Sequence, residues 1–343
     1  MTLLGRALKY GYSNTRVKGM EAKLLDPATL QRISKASSMS EIMALLYETD
    51  YKQSLTEFGG LNAKAALIDF AINKNLAEHM ETLVKITPKD EQSLMRILVA
   101  RWDLYNVKLA IEAKSRGNAF ESIATYLIDR GPFNSELIKQ ALEKKTIDEL
   151  FDFLRQNSPK EYIEILQKAK GAYVSEKSAL ASANEIDKGM YKLLADASEK
   201  MMKRHHNAAK IAKMQIDMQN IITAIRAKLA GKAYSQMSQD IIDKGNITKQ
   251  EFAKAYGERD LQSMLSALSL RLQGSAEELT KLEINLKRQM LNKSLRIVRN
   301  SVLSFATLAA YIYMKELEVI SLRLAIKAKQ YGIGEEELEQ MLA

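Results

Sequence analysis

No proline occurs after Pro159, so more than half of this 343-residue chain lacks the strongest helix breaker. The composition agrees, because only 4 prolines and 15 glycines occur and Ala, Leu, Ile, Lys, Glu and Met dominate. Apolar residues make up 46% of the chain, enough for a sizeable core. We find no convincing alternating strand pattern and therefore predict an all-α fold.

Apolar residues recur at helical spacing in two segments, which predicts two seams that pack against other helices. The first seam is Ile211, Met214, Met218, Ile221 and Ile225, and the second is Leu291, Leu295, Val298, Val302 and Phe305. Helix starts are predicted at Thr87-Pro88, at Ser158-Pro159 and at the capping box Thr248–Glu251. A last short helix is predicted after Gly332 and Gly334, beginning in the Glu335–Glu337 run.

One helical segment is written twice. Aligning Asp103–Gly117 with Asp217–Gly231 gives seven identities in fifteen positions: Asp, Asn, Ala, Ile, Ala, Lys and Gly. The same offset aligns residues 127–131 with 241–245. A weaker third copy is predicted near the start, where residues 20–23 match 111–114, although Tyr12 and Thr15 replace its Asp and Asn. The sequence therefore indicates three copies of one helical unit, the first degenerate.

Each full copy carries an Asp and an Asn three residues apart, and so on one helix face. Asp103 and Asn106, like Asp217 and Asn220, lie in otherwise apolar segments. A buried carboxylate needs a partner, because leaving it unpaired costs several kcal/mol. We expect each pair to anchor a neighbouring helix through hydrogen bonds. The alternative is an exposed polar patch.

The net charge of +9 is unevenly distributed. One acidic residue, Asp217, accompanies eight cations that form a candidate docking stripe: Lys200, Lys203, Arg204, Lys210, Lys213, Arg226, Lys228 and Lys232. Six further cations lie between Lys281 and Arg299. Such stripes attract nucleic acid, acidic lipid head groups or an acidic protein face. A solvated helix face is the simpler interpretation for any single lysine.

The residues that carry chemistry are sparse. Cysteine is absent, and the adjacent His205 and His206 cannot chelate a metal as an i, i+4 pair would. The segment around Gly231-Lys232 lacks the sequence of a phosphate-binding loop, because Arg226 stands where a glycine is needed and Ala233 replaces the Ser/Thr. Glu316 and Arg323, seven residues apart, are expected to share one partner helix. We predict no catalytic, cofactor-binding or metal-binding residue, and we expect Trp102 to serve packing.

No membrane span or signal peptide is expected. The N-terminus has no apolar core of signal-peptide length. The longest uncharged run, Asn300–Met314, would reach roughly 22 Å as a helix, short of the ~30 Å hydrocarbon core. We predict that this run is a buried helix.

Four motifs resemble those of a known family. They are an early segment with Arg16 and Met20-Glu21 followed by residues 45–51; Trp102-Asp103-x-x-Asn106-x-Lys108; its copy Asp217-x-x-Asn220; and Tyr313-x-Lys315-Glu316-x-Glu318 with Arg323 and Ile326. In this order and over nearly the whole chain, they resemble the C subunits of the archaeal and bacterial A/V-type rotary ATPases, a family related to the d subunits of eukaryotic V-ATPases.

The resemblance implies a funnel-shaped, all-α body of three pseudo-threefold helical bundles, with repeats at 1–95, 96–212 and 213–343. It implies a non-catalytic rotor subunit, without cofactor, on the cytoplasmic face of the membrane. Its expected partners are the proteolipid ring, the D and F subunits of the shaft and other subunits of the ATPase, together with the anionic lipid surface, but not nucleic acid. The alternative is a helical-repeat scaffold or a nucleic-acid-binding protein that uses the basic stripes.

Overall fold

The computed structural model describes residues 2–57, 65–270, 279–299, 301 and 303–332. In these ranges the regular structure is helical and includes no strand, so the predicted all-α class is confirmed. The helices are α1 (Leu3–Glu21), α2 (Pro27–Lys35), α3 (Met39–Tyr47), α4 (Lys52–Thr56), α5 (Ala65–Ile86), α6 (Gln92–Leu98), α7 (Ala100–Ser115), α8 (Ser135–Leu142), α9 (Ile147–Gln156), α10 (Lys160–Glu176), α11 (Ala179–Met202), α12 (His206–Leu229), α13 (Tyr234–Met237), α14 (Lys249–Tyr256), α15 (Leu261–Ala267), α16 (Leu279–Arg299) and α17 (Phe305–Tyr331).

Helix caps follow the sequence in part. The capping box predicted at Thr248–Glu251 opens α14 and is confirmed. Ser158 and Thr87 do not cap the helices that follow them, because each hydroxyl instead donates to a carbonyl of the preceding helix. The acceptors are the carbonyls of Arg155 at 2.9 Å and Leu83 at 2.6 Å. The helix predicted at Glu335–Glu337 lies outside the described residues.

The contacts divide the chain into two compact units. The first unit comprises Met1–Asn14 and Tyr191–Met314, and the second comprises Thr15–Met190 and Lys315–Ala343. These bounds differ from the three repeats expected at 1–95, 96–212 and 213–343, whose boundaries stay a prediction.

The core of the first unit forms around α12. Ile211, Met218, Ile221 and Ile225 of the first predicted seam are buried, and Met214 packs against the same cluster. The cluster also takes in Phe252, Met264, Leu282 and Leu286 from α14, α15 and α16. The amphipathic period of α12 therefore positions Asp217 and Asn220 on a helix with a buried apolar face.

The second seam is not one continuous helix. Helix α16 ends at Arg299, α17 begins at Phe305, and between them Leu303 has φ of +52°. A left-handed residue cannot continue a right-handed helix, so the seam is interrupted, and Val302 lies outside the described residues. The residues of α17 from Phe305 to Tyr313 are buried, which confirms the predicted buried helix over that part of the uncharged run.

The second unit packs α7 against α8 and α9. Leu104, Val107 and Ile111 present one apolar face of α7, and Phe133 and Phe151 are fully buried in the same unit. Asp103 and Asn106 are buried on this helix as well. Within the part of the chain that the structure describes, none of the helices combines the length and hydrophobicity needed to traverse a bilayer.

Candidate functional site

Asp103 on α7 lies in a closed polar cluster of the second unit. Its carboxylate accepts from the guanidinium of Arg130 at 2.6 Å and from the hydroxyl of Tyr162 at 3.1 Å. The side chains of the ion pair are only 3% and 4% exposed. Burial raises the pKa of Asp103 to about 6, and the charge of Arg130 and the hydroxyl of Tyr162 act in the opposite direction. The carboxylate thus ties α7 to α10 and to the segment before α8.

Asn106 clamps the main chain of that segment. Its amide nitrogen donates to the carbonyls of Ile128 at 2.7 Å and Phe133 at 2.8 Å, and its amide oxygen accepts from the N–H of Ile128 at 3.0 Å. The side chain is fully buried. An asparagine amide presents the same donor and acceptor as a peptide group, so Asn106 pairs with Ile128 as a neighbouring strand would.

Asn220 on α12 makes the same clamp in the first unit. It donates to the carbonyl of Ile242 at 2.8 Å and accepts from the N–H of Ile242 at 2.9 Å. Ile128 and Ile242 follow their asparagines by the same 22 positions. The two asparagines therefore make the same pair of hydrogen bonds, and their partners are connecting segments rather than the helices that we expected.

The buried carboxylate of Asp217 has different hydrogen-bond partners. It accepts from the N–H groups of Asn246 at 3.1 Å and Ile247 at 3.0 Å, and from the side-chain amide of Asn246 at 2.9 Å. Burial raises its pKa, and these hydrogen bonds oppose the effect. Lys244, which stands at the position of Arg130, pairs with Asp196 at 2.7 Å instead. One copy thus uses a cation and the other uses main-chain dipoles.

Glycine is required beside both carboxylates. A Cβ added to Gly131 or Gly245 would lie 2.2 Å from the Oδ1 atom of Asp103 or Asp217, respectively. Gly131 also has φ of +64°, a conformation that L side chains rarely adopt. Because neither glycine has a Cβ, the two carboxylates can approach the main chain closely at these aligned positions.

Lys114 and Lys228 cap the ends of the short helices. The ammonium of Lys114 donates to the carbonyl of Leu142 at 3.0 Å and also to that of Lys144. The ammonium of Lys228 donates to the carbonyls of Tyr256 at 2.8 Å and Glu258 at 2.5 Å. A cation at a helix C-terminus is favourable because the last carbonyls carry partial negative charge. These lysines join α7 to the end of α8, and α12 to the end of α14.

A third copy of the motif, which the sequence comparison above missed, ends α17. Residues 325–332 read AIKAKQYG, against AIEAKSRG at 110–117 and AIRAKLAG at 224–231. This register places Glu318 at the position of Asp103 and Ser321 at that of Asn106. The final glycines of all three copies, Gly117, Gly231 and Gly332, have φ between +66° and +69°. The A-I-x-A-K-x-x-G pattern was a readable signal for it.

Glu318 has the surroundings of Asp103. It is buried and accepts from the N–H of Leu25 at 2.6 Å, the hydroxyl of Tyr51 at 2.6 Å and the ammonium of Lys315 at 2.5 Å. A carboxylate, a tyrosine hydroxyl and a cation thus recur. Tyr12 and Thr15, in the third copy that we predicted near the N-terminus, are exposed and lack this environment.

The segments that receive the carboxylates also share a pattern. In each copy two short helices have N-caps twelve residues apart, and the pairs are Asp26 with Ser38, Asn134 with Thr146, and Thr248 with Asp260. The residue before the first cap supplies a main-chain group to the clamp, and these residues are Leu25, Phe133 and Ile247.

Lys315, the cation beside Glu318, is buried even more deeply than Arg130, the cation beside Asp103. Its side chain is 1% exposed, and burial lowers its pKa while Glu318 acts to raise it. Its ammonium lies 4.6 Å from the ring centroid of Tyr51. A lysine so enclosed is held by its partners and has no access to solvent.

Glu316 and Arg323 do not share a partner helix. Glu316 pairs with Arg101 on α7 at 2.5 Å, whereas Arg323 donates to Asn73 on α5. The expectation was wrong because two turns of α17 separate the two residues, and a different helix packs at each level. The guanidinium of Arg101 also stacks on Trp102, 4.3 Å from the ring centroid.

The other motif residues are held at their own sites. Lys108 pairs with Asp187 at 2.7 Å, and the Tyr313 hydroxyl donates to the carbonyl of Ile211 at 2.7 Å. Glu21 pairs with Lys18 at 2.5 Å. Arg16 is exposed on α1.

Asp50 gathers three donors in the second unit. It accepts from the Nε2 atom of His79 at 2.8 Å, Lys23 at 2.9 Å and Asn75 at 3.2 Å. The hydrogen bond from His79 is the main cause that holds the pKa of Asp50 well below its usual range, and burial opposes it. Asp50 therefore stabilises this part of the fold in its ionised form.

The predicted basic stripe is divided. Lys213 pairs with Glu199 at 2.5 Å, Arg226 pairs with Glu283, and Lys228 caps α14. The exposed members are Lys200, Lys203, Arg204 and Lys210 at one end and Arg226 and Lys232 at the other. Helix α12 alone spans roughly 36 Å between these ends, so the cations form two groups. Among the described residues, no group of three or more His, Cys, Asp and Glu side chains is arranged to hold a metal ion.

Comparison with known proteins places these contacts in a family context. The family model described as ATP synthase (C/AC39) subunit matches residues 13–341. The C subunit of the A-type ATP synthase of Methanosarcina mazei is 27% identical over 344 residues, covering 97% of this chain and 92% of the relative. Its counterpart in Thermococcus kodakarensis is 25% identical over 351 residues, covering 99% and 92%, and that of Thermococcus onnurineus is 28% identical over 343 residues, covering 97% and 90%.

The family match includes all three copies of the buried carboxylate motif and the segments that receive them. It covers residues 13–341, which is nearly the whole chain. The chain therefore belongs to the ATP synthase (C/AC39) subunit family, whose members are non-catalytic subunits of that complex.

Proposed function

We propose that this chain is the central-stalk rotor subunit of an A/V-type ATP synthase. In this role it sits on the membrane proteolipid ring, at the cytoplasmic face, and receives the end of the central shaft formed by the D and F subunits. It thereby couples ATP synthesis or hydrolysis to transport of protons or sodium ions. The family match over residues 13–341 is the observation that carries this proposal.

A threefold architecture accompanies this role. Each copy consists of a motif helix with a buried carboxylate and two short capped helices that receive it. The third copy draws its motif helix from α17 and its short helices from α2 and α3, far apart in sequence. The hydrogen bonds of Glu318 to Leu25 and Tyr51 support this assembly. A funnel-shaped body of three such bundles is an adaptor for a ring of many identical subunits.

The clamps suit a part that transmits torque. A connecting segment that is held only by exposed contacts would yield first under load, because its local opening free energy is small. Here buried amides and carboxylates fasten the connecting segments to the motif helices, and each net hydrogen bond contributes about 0.5–1.5 kcal/mol. Close packing around them lets force pass through the helices with little compliance.

The exposed cations at the junction of α11 and α12 provide a docking surface in this proposal. Lys200, Lys203, Arg204 and Lys210 carry four positive charges close together in sequence, and all are exposed. An acidic face of the shaft would be attracted to them, and salt would weaken this attraction. Reversing Lys203, Arg204 and Lys210 to Glu should slow assembly most at low salt. Unchanged assembly at every salt concentration would remove this surface from the proposal.

Co-purification tests the main proposal. An affinity-tagged full-length chain should retain both the proteolipid ring and the D and F subunits from a reconstituted mixture. For the docking surface, Lys232→Glu, a single charge reversal distant from the α11–α12 junction, is the control for Lys203→Glu alone. Failure to retain either partner, with a folded chain, would overturn the rotor role. Tight, steeply salt-dependent binding of nucleic acid in place of these partners would favour the alternative scaffold function.

A further inference from the structure

Helix α1 carries an exposed apolar ridge. Leu4, Leu8 and Tyr12 are 71%, 81% and 70% exposed, and they are spaced four residues apart. Residues at this spacing lie on one helix face, so the ridge extends along roughly 12 Å. The other large apolar side chains that are exposed in the described part of the chain form no such row: Tyr126, Val174, Leu180, Leu229 and Tyr331.

The ridge faces outward because the opposite face of α1 is already fixed. Tyr10 and Ser13 are buried, and Asn14 binds the main chain of Ser304. The amide of Asn14 donates to the carbonyl of Ser304 at 3.2 Å and accepts from its N–H at 3.2 Å. Turning Leu8 inward would break both hydrogen bonds. A Cβ added at Gly11, beside the ridge, would meet no atom within 4 Å, so the ridge protrudes above a low surface.

The charged residues that share the first twenty positions with the ridge have one sign. The first twenty residues contain four cations, Arg6, Lys9, Arg16 and Lys18, and no aspartate or glutamate. Arg6 is exposed, and Lys9 lies 5.5 Å from the ring of Tyr10. Helix α1 has leucines and a tyrosine on its outer face and four cations against one acid, Glu21 at its C-terminal end, which pairs with Lys18. This composition fits the interface of an anionic membrane.

We infer that the Leu4–Leu8–Tyr12 ridge docks into the head-group region of an anionic lipid bilayer. The two leucines enter the upper acyl layer, Tyr12 stays at the level of the head groups, and Arg6 and Lys9 meet phosphate oxygens. A ridge of three side chains is far smaller than the 20–30 residues that a stable protein interface uses on each side, which favours lipid over a protein partner.

This inference deepens the proposed function, since a subunit on a proteolipid ring has lipid beside it. The two can fail separately, because vesicle binding requires no ring. The test is flotation of the full-length chain with vesicles of phosphatidylcholine alone, or with roughly a third phosphatidylglycerol, at about 0.05 M and 0.15 M salt. Wild-type chain should float with the anionic vesicles only, and more strongly at the lower salt.

The variants locate the contact. The triple change L4S/L8S/Y12S should weaken binding to anionic vesicles at least about tenfold, because each large apolar side chain contributes that order of affinity. L180S controls for the loss of an exposed leucine elsewhere, since Leu180 is 70% exposed on α11, and it should bind as wild type. An unchanged melting temperature would show that the triple variant is folded.

Three results would overturn the inference. They are no binding of wild type to anionic vesicles at low salt, equal binding of wild type and the triple variant, and equal binding to both lipid compositions. Loss of ring assembly in the triple variant, with no vesicle binding by wild type, would assign the ridge to a protein partner instead and would also overturn it.

Discussion

Replacing Asp103 by alanine should lower the free energy of unfolding by about 3–5 kcal/mol, because Arg130 is left buried without its counter-charge. The ion pair is 2.6 Å long, and both side chains are almost completely enclosed. After the change the guanidinium retains the carbonyl of Val99 at 3.3 Å, and the Tyr162 hydroxyl loses its acceptor. The loss of that hydroxyl's hydrogen bond is included in this range.

The assay is urea denaturation followed by circular dichroism at neutral pH. The matched control is Asp152→Ala, because Asp152 also pairs with a cation, Lys170, at 3.1 Å, but on the surface. The side chains of that pair are 44% and 29% exposed, so its removal should cost no more than about 1 kcal/mol.

A double-mutant cycle separates the ion pair from other effects of the substitution. Arg130→Met alone should also destabilise, because it leaves the Asp103 carboxylate unpaired. Combined with Asp103→Ala, it should cost less than the sum of the two single changes by about 0.5–3 kcal/mol. A cost for Asp103→Ala as small as that of Asp152→Ala would refute the anchoring role of this carboxylate.

Four further substitutions probe the repeat and its surroundings by the same denaturation assay. Gly131→Ala should cost at least about 3 kcal/mol and Gly117→Ala about 1–2 kcal/mol, since both have positive φ but only the first would place a Cβ against Asp103; equal costs would contradict this. Asn220→Ala should cost about 2–4 kcal/mol because it strips two hydrogen bonds from Ile242, and a cost below about 1 kcal/mol would mean that the clamp is dispensable. The folded pKa of Asp50 lies below its unfolded value, so its contribution is present above the ordinary aspartate pKa and is lost as pH falls. The stability difference between wild type and Asp50→Asn should therefore shrink between about pH 5 and pH 2, and a constant difference would argue against an ionised Asp50.

Much of the motif could be predicted from local pattern. Asp103 and Asn106 stand in an apolar helix, so burial with polar partners was the expected outcome, and the copy at Asp217 doubled the signal. The sequence pattern could not identify the groups that bind these carboxylates. Arg130 pairs with Asp103, but the aligned Lys244 turns to Asp196, because partner choice depends on the three-dimensional surroundings of each cation.

The third copy was hidden by substitutions at its most informative positions. Glu318 replaces Asp and Ser321 replaces Asn, so the search for the Asp-Asn pair could not find it. The division of the basic stripe could not be predicted for another reason. Charge along the sequence does not reveal that Lys213 and Arg226 already have acidic partners, or that Lys228 ends a helix. Propensity likewise gave no sign of the break at Leu303, which a left-handed residue imposes.

The asparagine clamps limit how this chain can diverge. Aspartate has nearly the volume of asparagine, yet at position 106 or 220 it would turn an acceptor toward a carbonyl that needs a donor. Glutamine offers the right groups but one methylene too many for a bond of 2.7–3.0 Å on both sides. None of the other standard amino acids therefore combines the size of asparagine with its paired donor and acceptor groups. A relative that lost the amide would need to redesign the connecting segment in the same step.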